Sequence, residues 1–252
     1  MLPLLILAGG LGTRLSEYTG TIPKPMVIIG GKPIISHIIN YYVKFGVSNV
    51  YIGLGYKKDV IIDYFKKNSS NFHKHNRNLS IANIIINKKL IKINLVNTGV
   101  KTMTGGRVKR LLKFFKDENF FLTYGDGLAN VNIKKLLSFH YRNKALMTLT
   151  AVHPPARFGY VKLSKYRVES FREKSQIDLG WINGGFFVVN KKINQYIKDD
   201  TTFLEREPME RLSKKGLLYA FKHRFFWQCM DTKRDKDLFD NLFKQKKLSW
   251  LK

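Results

Sequence analysis

Four short stretches of this chain hold side chains suited to chemistry on an anion. An apolar run from Leu4 to Ala8 opens into Gly9-Gly10-Leu11-Gly12-Thr13-Arg14. Glycines let backbone N–H groups face an anion with no Cβ in the way. Arginine adds a fork of donors matched to phosphate oxygens. Two common glycine patterns fail here. Leu15 stands where a dinucleotide loop needs its third glycine, and no Gly-Lys-Ser/Thr occurs. Taken alone, the loop is either a phosphate site or a glycine-rich turn after a strand.

Ile22-Pro23-Lys24-Pro25-Met26 sets a lysine between two prolines, which keep the backbone extended. A lysine so held points at one phosphoryl group or sits in a solvated turn. Asp126 lies between Gly125 and Gly127 at the end of an apolar stretch, Phe120 to Tyr124. Ligands of open α/β sheets collect at such strand ends. Magnesium takes one or two carboxylates together with substrate phosphates and water. Asp-Gly is also the commonest turn dipeptide. Asp231 precedes Thr232 at a predicted helix start, where aspartate is favoured in any case.

These groups need a scaffold, and the first half of the chain alternates strand and helix signals. Leu4 to Ala8 reads as a buried parallel strand. Pro33 to Phe45 repeats apolar residues at three- and four-residue spacing, one helical face closed by Gly46. Asn49 to Leu54 is the next strand and Asp59 to Lys67 a short helix. This order predicts right-handed crossovers and a parallel sheet. Asn68 to Lys92, rich in Asn, Lys and His, reads as an insertion or long excursion. Ile93 to Val96 is a strand, Arg107 to Lys116 a helix, Ile133 to Tyr141 a helix and Ala145 to Val152 a strand. The second half is more antiparallel in character. Strands are expected at Phe158 to Leu163, Val168 to Phe171, Phe186 to Asn190, Leu217 to Lys222 and Arg224 to Gln228. Helices are expected at Lys192 to Lys198, Phe203 to Lys214 and Thr232 to Lys244, the last capped by Thr232 with Asp235 three residues on.

The hydrophobic share of 44% and the single cysteine, Cys229, fit a globular chain without an internal disulfide. A reducing cytoplasm is the expected setting. The apolar start is too short for a secretory signal and lacks a preceding basic residue. No apolar run approaches the roughly 20 residues of a membrane span. The net charge of +27 raises nucleic-acid or anionic-membrane binding. The basic residues are nevertheless spread along the chain, without a zinc-finger, RNA-recognition or basic-zipper pattern. Compositional drift with an anionic small-molecule substrate is the expectation, with no specific nucleic-acid partner and no membrane. His73-x-His75 is the one histidine pair near zinc spacing, and it lies in the polar excursion.

LAGGLGTRLSE followed by KPM resembles the sugar-1-phosphate nucleotidyltransferase superfamily, and MTGGR-x-KR with TYGDG resembles its cytidylyl branch. The similar stretches include PKPMVIIGGKPI, RFGYVKL, INGGFFVVN and FWQCMDTKRDK, in family order over nearly the whole chain. The resemblance implies an α/β, Rossmann-like nucleotidyltransferase fold. Its mixed, mostly parallel central sheet would be flanked by helices, with a smaller antiparallel or insert region. One domain is expected, with a nucleotide half over about 1–130, a sugar half over about 131–252 and the insertion at about 68–92.

The implied reaction condenses CTP with α-D-glucose 1-phosphate, with Mg2+ as cofactor, toward sugars of surface polysaccharide. Leu7, Ala8, Gly9, Gly10, Leu11, Gly12, Thr13 and Arg14 would wrap the triphosphate. Lys24 would contact the α-phosphate or the sugar phosphate. Thr104, Gly105, Gly106 and Arg107 would meet cytosine and ribose or complete the nucleotide pocket, with Gly125 beside the ribose. Asp126 and Asp231 would hold the metal. Glu173 and Lys174 would serve the sugar and its phosphate, and Asn183, Gly184 and Gly185 the sugar hydroxyls. Arg14, Lys24, Asp126 and Lys174 form the expected catalytic set. A homo-oligomer, a hexamer by resemblance, is expected, with the 68–92 excursion as a candidate subunit contact or nucleotide lid. Three departures from the family pattern stand at Ser175, Cys229 and Ile28.

Overall fold

The computed structural model describes residues 1–114, 116–155, 160–172, 180–248 and 250. The first half runs β1 (Leu4–Ala8), α1 (Ser16–Thr19), β2 (Ile28–Ile29), β3 (Lys32–Pro33), α2 (Ile34–Lys44), β4 (Asn49–Leu54) and α3 (Lys58–Lys67). It continues with β5 (Asn71–Lys74), β6 (Leu79–Ile86), β7 (Lys89–Asn97), α4 (Thr104–Leu111), β8 (Asn119–Tyr124) and β9 (Gly127–Ala129). The second half adds α5 (Ile133–Arg142), β10 (Met147–Val152), β11 (Tyr160–Ser164), β12 (Arg167–Arg172) and β13 (Ile182–Asn190). It closes with α6 (Glu207–Lys214), β14 (Leu218–Lys222), β15 (Trp227–Cys229) and α7 (Lys233–Lys244).

Nine strands form one sheet in the order β14-β10-β13-β8-β1-β4-β7-β6-β5. Its centre is parallel: β1 pairs with β8 and β4, and β4 with β7. β13 runs antiparallel to both β8 and β10. Every residue of β1 is buried, because its alternating side chains enter different cores. Leu4, Ile6 and Ala8 pack on the side of α2, α3, α5 and α7. Leu5 and Leu7 pack on the side of α4 and α6. A strand covered on both faces needs a continuous apolar run, which is how Leu4–Ala8 reads.

The 68–92 region is an extension of the sheet, not an irregular excursion. β6 and β7 form an antiparallel hairpin, and β5 pairs on the outer side of β6. The turn between β6 and β7 puts Asn87 at φ 50° and Lys88 at φ 63°. Two successive positive φ angles are the type I′ geometry that matches strand twist. Lysine at the second position hides that signal, because glycine is its usual marker. The short, polar β5, with His73 and Lys74 exposed, forms a sheet edge that discourages further pairing.

Two helix boundaries also differ from expectation. α4 begins at Thr104, so Gly105 and Gly106 lie in its first turn. A Cβ on Gly105 would lie 2.7 Å from the Thr202 carbonyl oxygen, and one on Gly106 2.5 Å from Asp200 Cα. The glycines are therefore a packing requirement of this helix start. α6 begins at Glu207, not Phe203, with Pro208 in its first turn, where a missing N–H costs nothing. The stretch expected as helix at Lys192 to Lys198 is a 3-10 segment, Lys191–Tyr196. The capping box on α7 forms as expected between Thr232 and Asp235. No helix among the described residues is long and apolar enough to cross a membrane.

Candidate active site

A cavity of about 720 Å³ opens at the carboxyl ends of β1 and β8. Its lining includes Leu7 through Thr13, Lys24, Thr104, Arg107, Gly125 and Asp126, and also Asn183, Gly184, Gly185 and Asp231. Residues scattered over the chain are thus gathered at one place. Gly105 and Gly106 are not in the lining. The Gly105 N–H donates to the Thr202 carbonyl at 3.0 Å, so the helix start is tied to the 200–204 segment. The side chain of Arg14 lies outside the described residues, as do Glu173, Lys174 and Ser175.

Local backbone shapes the glycine loop. Gly10 has no atom near its missing Cβ, while Gly12 takes φ +67° with Thr19 close behind it. The Thr19 hydroxyl donates to the carbonyls of Gly12 and Leu15, at 3.0 and 3.1 Å, and closes the loop on α1. Arg107 holds the loop from below. Its guanidinium donates to the carbonyls of Gly9 (2.9 Å), Leu54 (3.0 Å), Gly99 (2.8 Å) and Val100 (3.3 Å). It also donates to the Thr98 hydroxyl oxygen at 2.6 Å. A Cβ on Gly9 would lie 2.2 Å from that guanidinium. Burial, and then neighbouring Arg110, pull Arg107 down to about 10, which leaves it charged at neutral pH.

Lys24 stands between two carboxylates. Its Nζ donates to Asp126 Oδ2 at 2.6 Å and to Asp231 Oδ1 at 2.5 Å. Burial pulls the ammonium pKa down, but Asp126 and then Asp231 more than reverse this and leave it above its ordinary value. Pro23 is extended at φ −70° and ψ 149°, but Lys24–Met26 forms a 3-10 turn. A turn, and not the extended backbone expected from the flanking prolines, therefore delivers the lysine. Pro25 fits there because the first turn of a helix needs no N–H from it.

Asp126 follows β8 directly, and the Gly125 N–H donates to the Leu7 carbonyl at 3.1 Å. Asp231 arrives through the small antiparallel pair of β15 with β9, which sets Cys229 opposite Gly127. The Met230 N–H then donates to the Asp126 carbonyl at 2.8 Å. Asp235 fixes the turn by accepting from the N–H groups of Asp231 (3.1 Å) and Thr232 (2.9 Å).

Two carboxylates converging on one cation present the hard oxygens that a divalent metal prefers. Among the described residues no group of three or more His, Cys, Asp or Glu gathers as a metal cage, here or elsewhere. Asp126 and Asp231 therefore fit a site whose other ligands come from substrate and water. Cys229 lines the same cavity, but burial and the nearby Asp231 push its thiol up to about 12, so it stays protonated.

Tyr124, Glu205 and Trp227 also line the cavity. Trp227 donates to the Gly184 carbonyl at 2.7 Å. Tyr124 falls in the TYGDG stretch without being among the site residues expected there, and no local pattern marks Glu205. Tyr124 is the last residue of an apolar strand, and Glu205 lies in a stretch whose composition suits a helix.

The sequence profile of the nucleotidyl transferase family matches residues 4–235. The chain belongs to the nucleotidyl transferase family, and its mixed, mostly parallel sheet flanked by helices is a nucleotidyltransferase fold. Within it, the chain is 44% identical over 250 residues to glucose-1-phosphate cytidylyltransferase of Salmonella typhi, covering 98% of this chain and 97% of that one. It is 38% identical over 252 residues to a probable glucose-1-phosphate cytidylyltransferase of Bacillus subtilis, covering 98% of each. Among solved structures, HddC from Yersinia pseudotuberculosis superposes with a TM-score of 0.73 at 27% identity, over 96% of this chain and all of that one. A structure of the same protein complexed with GMP-PN gives a TM-score of 0.72.

Proposed function

We propose that this nucleotidyltransferase transfers the cytidylyl group of CTP to α-D-glucose 1-phosphate, releasing pyrophosphate and forming CDP-glucose. The observation that carries the reading is the Lys24 ammonium held between Asp126 and Asp231 on the wall of the glycine-loop cavity. The names of relatives at 44% and 38% identity supply the substrates.

The reaction is an in-line attack of a sugar-phosphate oxygen on the α-phosphorus of CTP. Both partners are anions, so positive charge and alignment are what the protein must provide. Lys24 faces the phosphates and offsets their repulsion. Fixed charge of this kind is worth about 3 to 4 kcal/mol per donor. Leu7 through Thr13 present backbone N–H groups to the triphosphate, with Arg14 on its outer phosphates. Arg107 acts on this loop from beneath, through the Gly9 carbonyl. Thr104 lines the nucleotide side and Gly125 the ribose. Asn183, Gly184 and Gly185 take the sugar hydroxyls, and Glu173 and Lys174 complete the sugar-phosphate site.

The sugar phosphate is ionised near neutral pH and needs no general base. Two substrates fixed in one cleft make the step effectively unimolecular. Enzymes of this family typically use a divalent metal. We infer Mg2+ held by Asp126 and Asp231, where it supplies charge neutralisation at the phosphates. The same reading makes the enzyme a cytoplasmic homo-oligomer that supplies sugars for surface polysaccharide.

The test is pyrophosphate release from each of the four ribonucleoside triphosphates with glucose 1-phosphate and Mg2+. CTP is expected to be strongly preferred. Equal or better turnover of another triphosphate overturns the base assignment, and release with none of them overturns the reaction.

A further inference from the structure

Glu205 places a negative charge in a cavity built for anions. It is exposed, and it lines the same cavity as Lys24 and the glycine loop. Its carboxylate is fixed at both oxygens. Tyr124 Oη donates to Oε1 at 2.6 Å, and Thr104 Oγ1 donates to Oε2 at 2.6 Å. Thr104 in turn accepts from the Leu204 N–H at 2.9 Å, which locks the residue before Glu205. Tyr124 is wedged in place. Its ring meets Phe187 edge-on at 5.7 Å, and a Cβ on Gly185 would lie 2.6 Å from it.

An ionised carboxylate offers about four lone-pair sites and no donor. Two of these sites are taken by hydroxyls of the protein. The rest can serve only a donor, and Coulomb repulsion keeps phosphate oxygens away from them. Glu205 must therefore face a neutral, hydroxyl- or amine-bearing part of the substrates.

The sheet indicates which part. Tyr124 ends β8, and Asn183 lies on the adjacent β13, with its Nδ2 3.5 Å from the Tyr124 hydroxyl. In the order β14-β10-β13-β8-β1-β4 both lie across β1 from β4, toward β13, β10 and β14 of the second half of the chain.

We propose that Glu205 is a specificity-determining residue that accepts a hydrogen bond from a hydroxyl of the sugar 1-phosphate, with Thr104 and Tyr124 orienting it. The proposal rests on the nucleotidyl-transfer reading above and adds to it an acceptor that selects the sugar ring.

The experiment is steady-state pyrophosphate release with glucose 1-phosphate and its 2-, 3-, 4- and 6-deoxy analogues, for the full-length protein and Glu205→Gln. Wild type is expected to reject one analogue by about 10- to 100-fold. Glu205→Gln is expected to lose about the same factor in kcat/KM for glucose 1-phosphate, to stop rejecting that analogue, and to keep its KM for CTP within about threefold. Tyr124→Phe should show a smaller loss in the same direction, and it carries the test if Glu205→Gln does not fold.

A raised KM for CTP with an unchanged analogue profile overturns the proposal and assigns Glu205 to the nucleotide. An equal loss toward every analogue also overturns it, by reducing Glu205 to a tie between α4 and β8. Failure of wild type to use CTP and glucose 1-phosphate would instead strike the reaction assignment. The deoxy series would then be repeated on whichever sugar phosphate is turned over.

Discussion

Two cations are buried in the wall of one cavity by opposite means. Lys24 is 8% exposed and is held between two carboxylates. Arg107 is 4% exposed, and its hydrogen bonds go to four carbonyls and a threonine hydroxyl. The paired lysine has its pKa raised, while the clasped arginine has its pKa lowered to about 10. Lysine is a compact point charge, suited to sit between carboxylates and turn toward a phosphate. Arginine is a planar fork, suited to tie several backbone segments together. In the proposed function Lys24 serves the phosphates, while Arg107 holds the loop together through its carbonyls.

The largest expected effect tests the carboxylate side of the Lys24 arrangement. Asp126→Ala should lower pyrophosphate release by more than about 10³-fold at millimolar Mg2+. Near-normal rates would show that the charge is organised elsewhere. Lys24→Met comes next, with kcat/KM down by about 10²- to 10³-fold and the fold retained by circular dichroism. A lysine variant with unchanged kcat/KM would erase the distinction between the two cations.

Arg107→Lys should act mainly on stability. One ammonium cannot tie together carbonyls in three separate segments. The Gly9 and Leu54 carbonyls keep N–H donors from Tyr56 and Thr98, but each lost hydrogen bond to a charged group costs about 1.5 to 3 kcal/mol. Denaturant titration should therefore register a loss of about 2 to 3 kcal/mol, with a smaller loss in kcat than Lys24→Met. A loss confined to kcat, with stability intact, would move Arg107 into direct contact with substrate. Gly9→Ala should resemble Arg107→Lys, because its Cβ would displace the guanidinium.

The smallest effect concerns a third way to bury a base, which is to lose the proton. Burial pulls His140 down to about 4, with Nδ1 2.9 Å from the Thr148 hydroxyl. Between the unfolded value of about 6.5 and this folded value, the unfolded chain binds the extra proton. Stability should therefore fall as the pH drops from 6.5 toward 4 and lose no more to this group below that. His140→Gln should show a flatter slope over that window in denaturant titrations at stepped pH. An identical slope would remove His140 from the account.

The legibility of these features from sequence follows their locality. The glycine loop, the proline-flanked Lys24 and Asp126 after β8 are each set within a few residues, by a buried strand ending in residues with special backbone freedom. All three line one cavity, although Lys24 reaches it through a 3-10 turn where its prolines suggest extended backbone. The β6–β7 hairpin was not legible, because Asn87-Lys88 adopts a turn that glycine normally announces. The start of α4 was missed because Gly105 and Gly106 read as loop. Their fitness for a helix depends on Thr202 and Asp200, far along the chain.

By itself, the sequence determined that a glycine-rich loop follows the first strand of an α/β sheet, with a proline-flanked lysine and an aspartate between glycines at the end of a second strand. Periodicity, glycine and proline act through local backbone geometry and leave a mark in residue order. Only the tertiary structure decided that Asp231 meets Lys24 opposite Asp126, that Arg107 supports the loop through backbone carbonyls, and that Glu205 enters the cavity. Carbonyl acceptors belong to every residue alike, so the clasp around Arg107 leaves no signature in residue type. The meeting of Asp126 and Asp231 depends on the pairing of β15 with β9, a register that long-range packing selects.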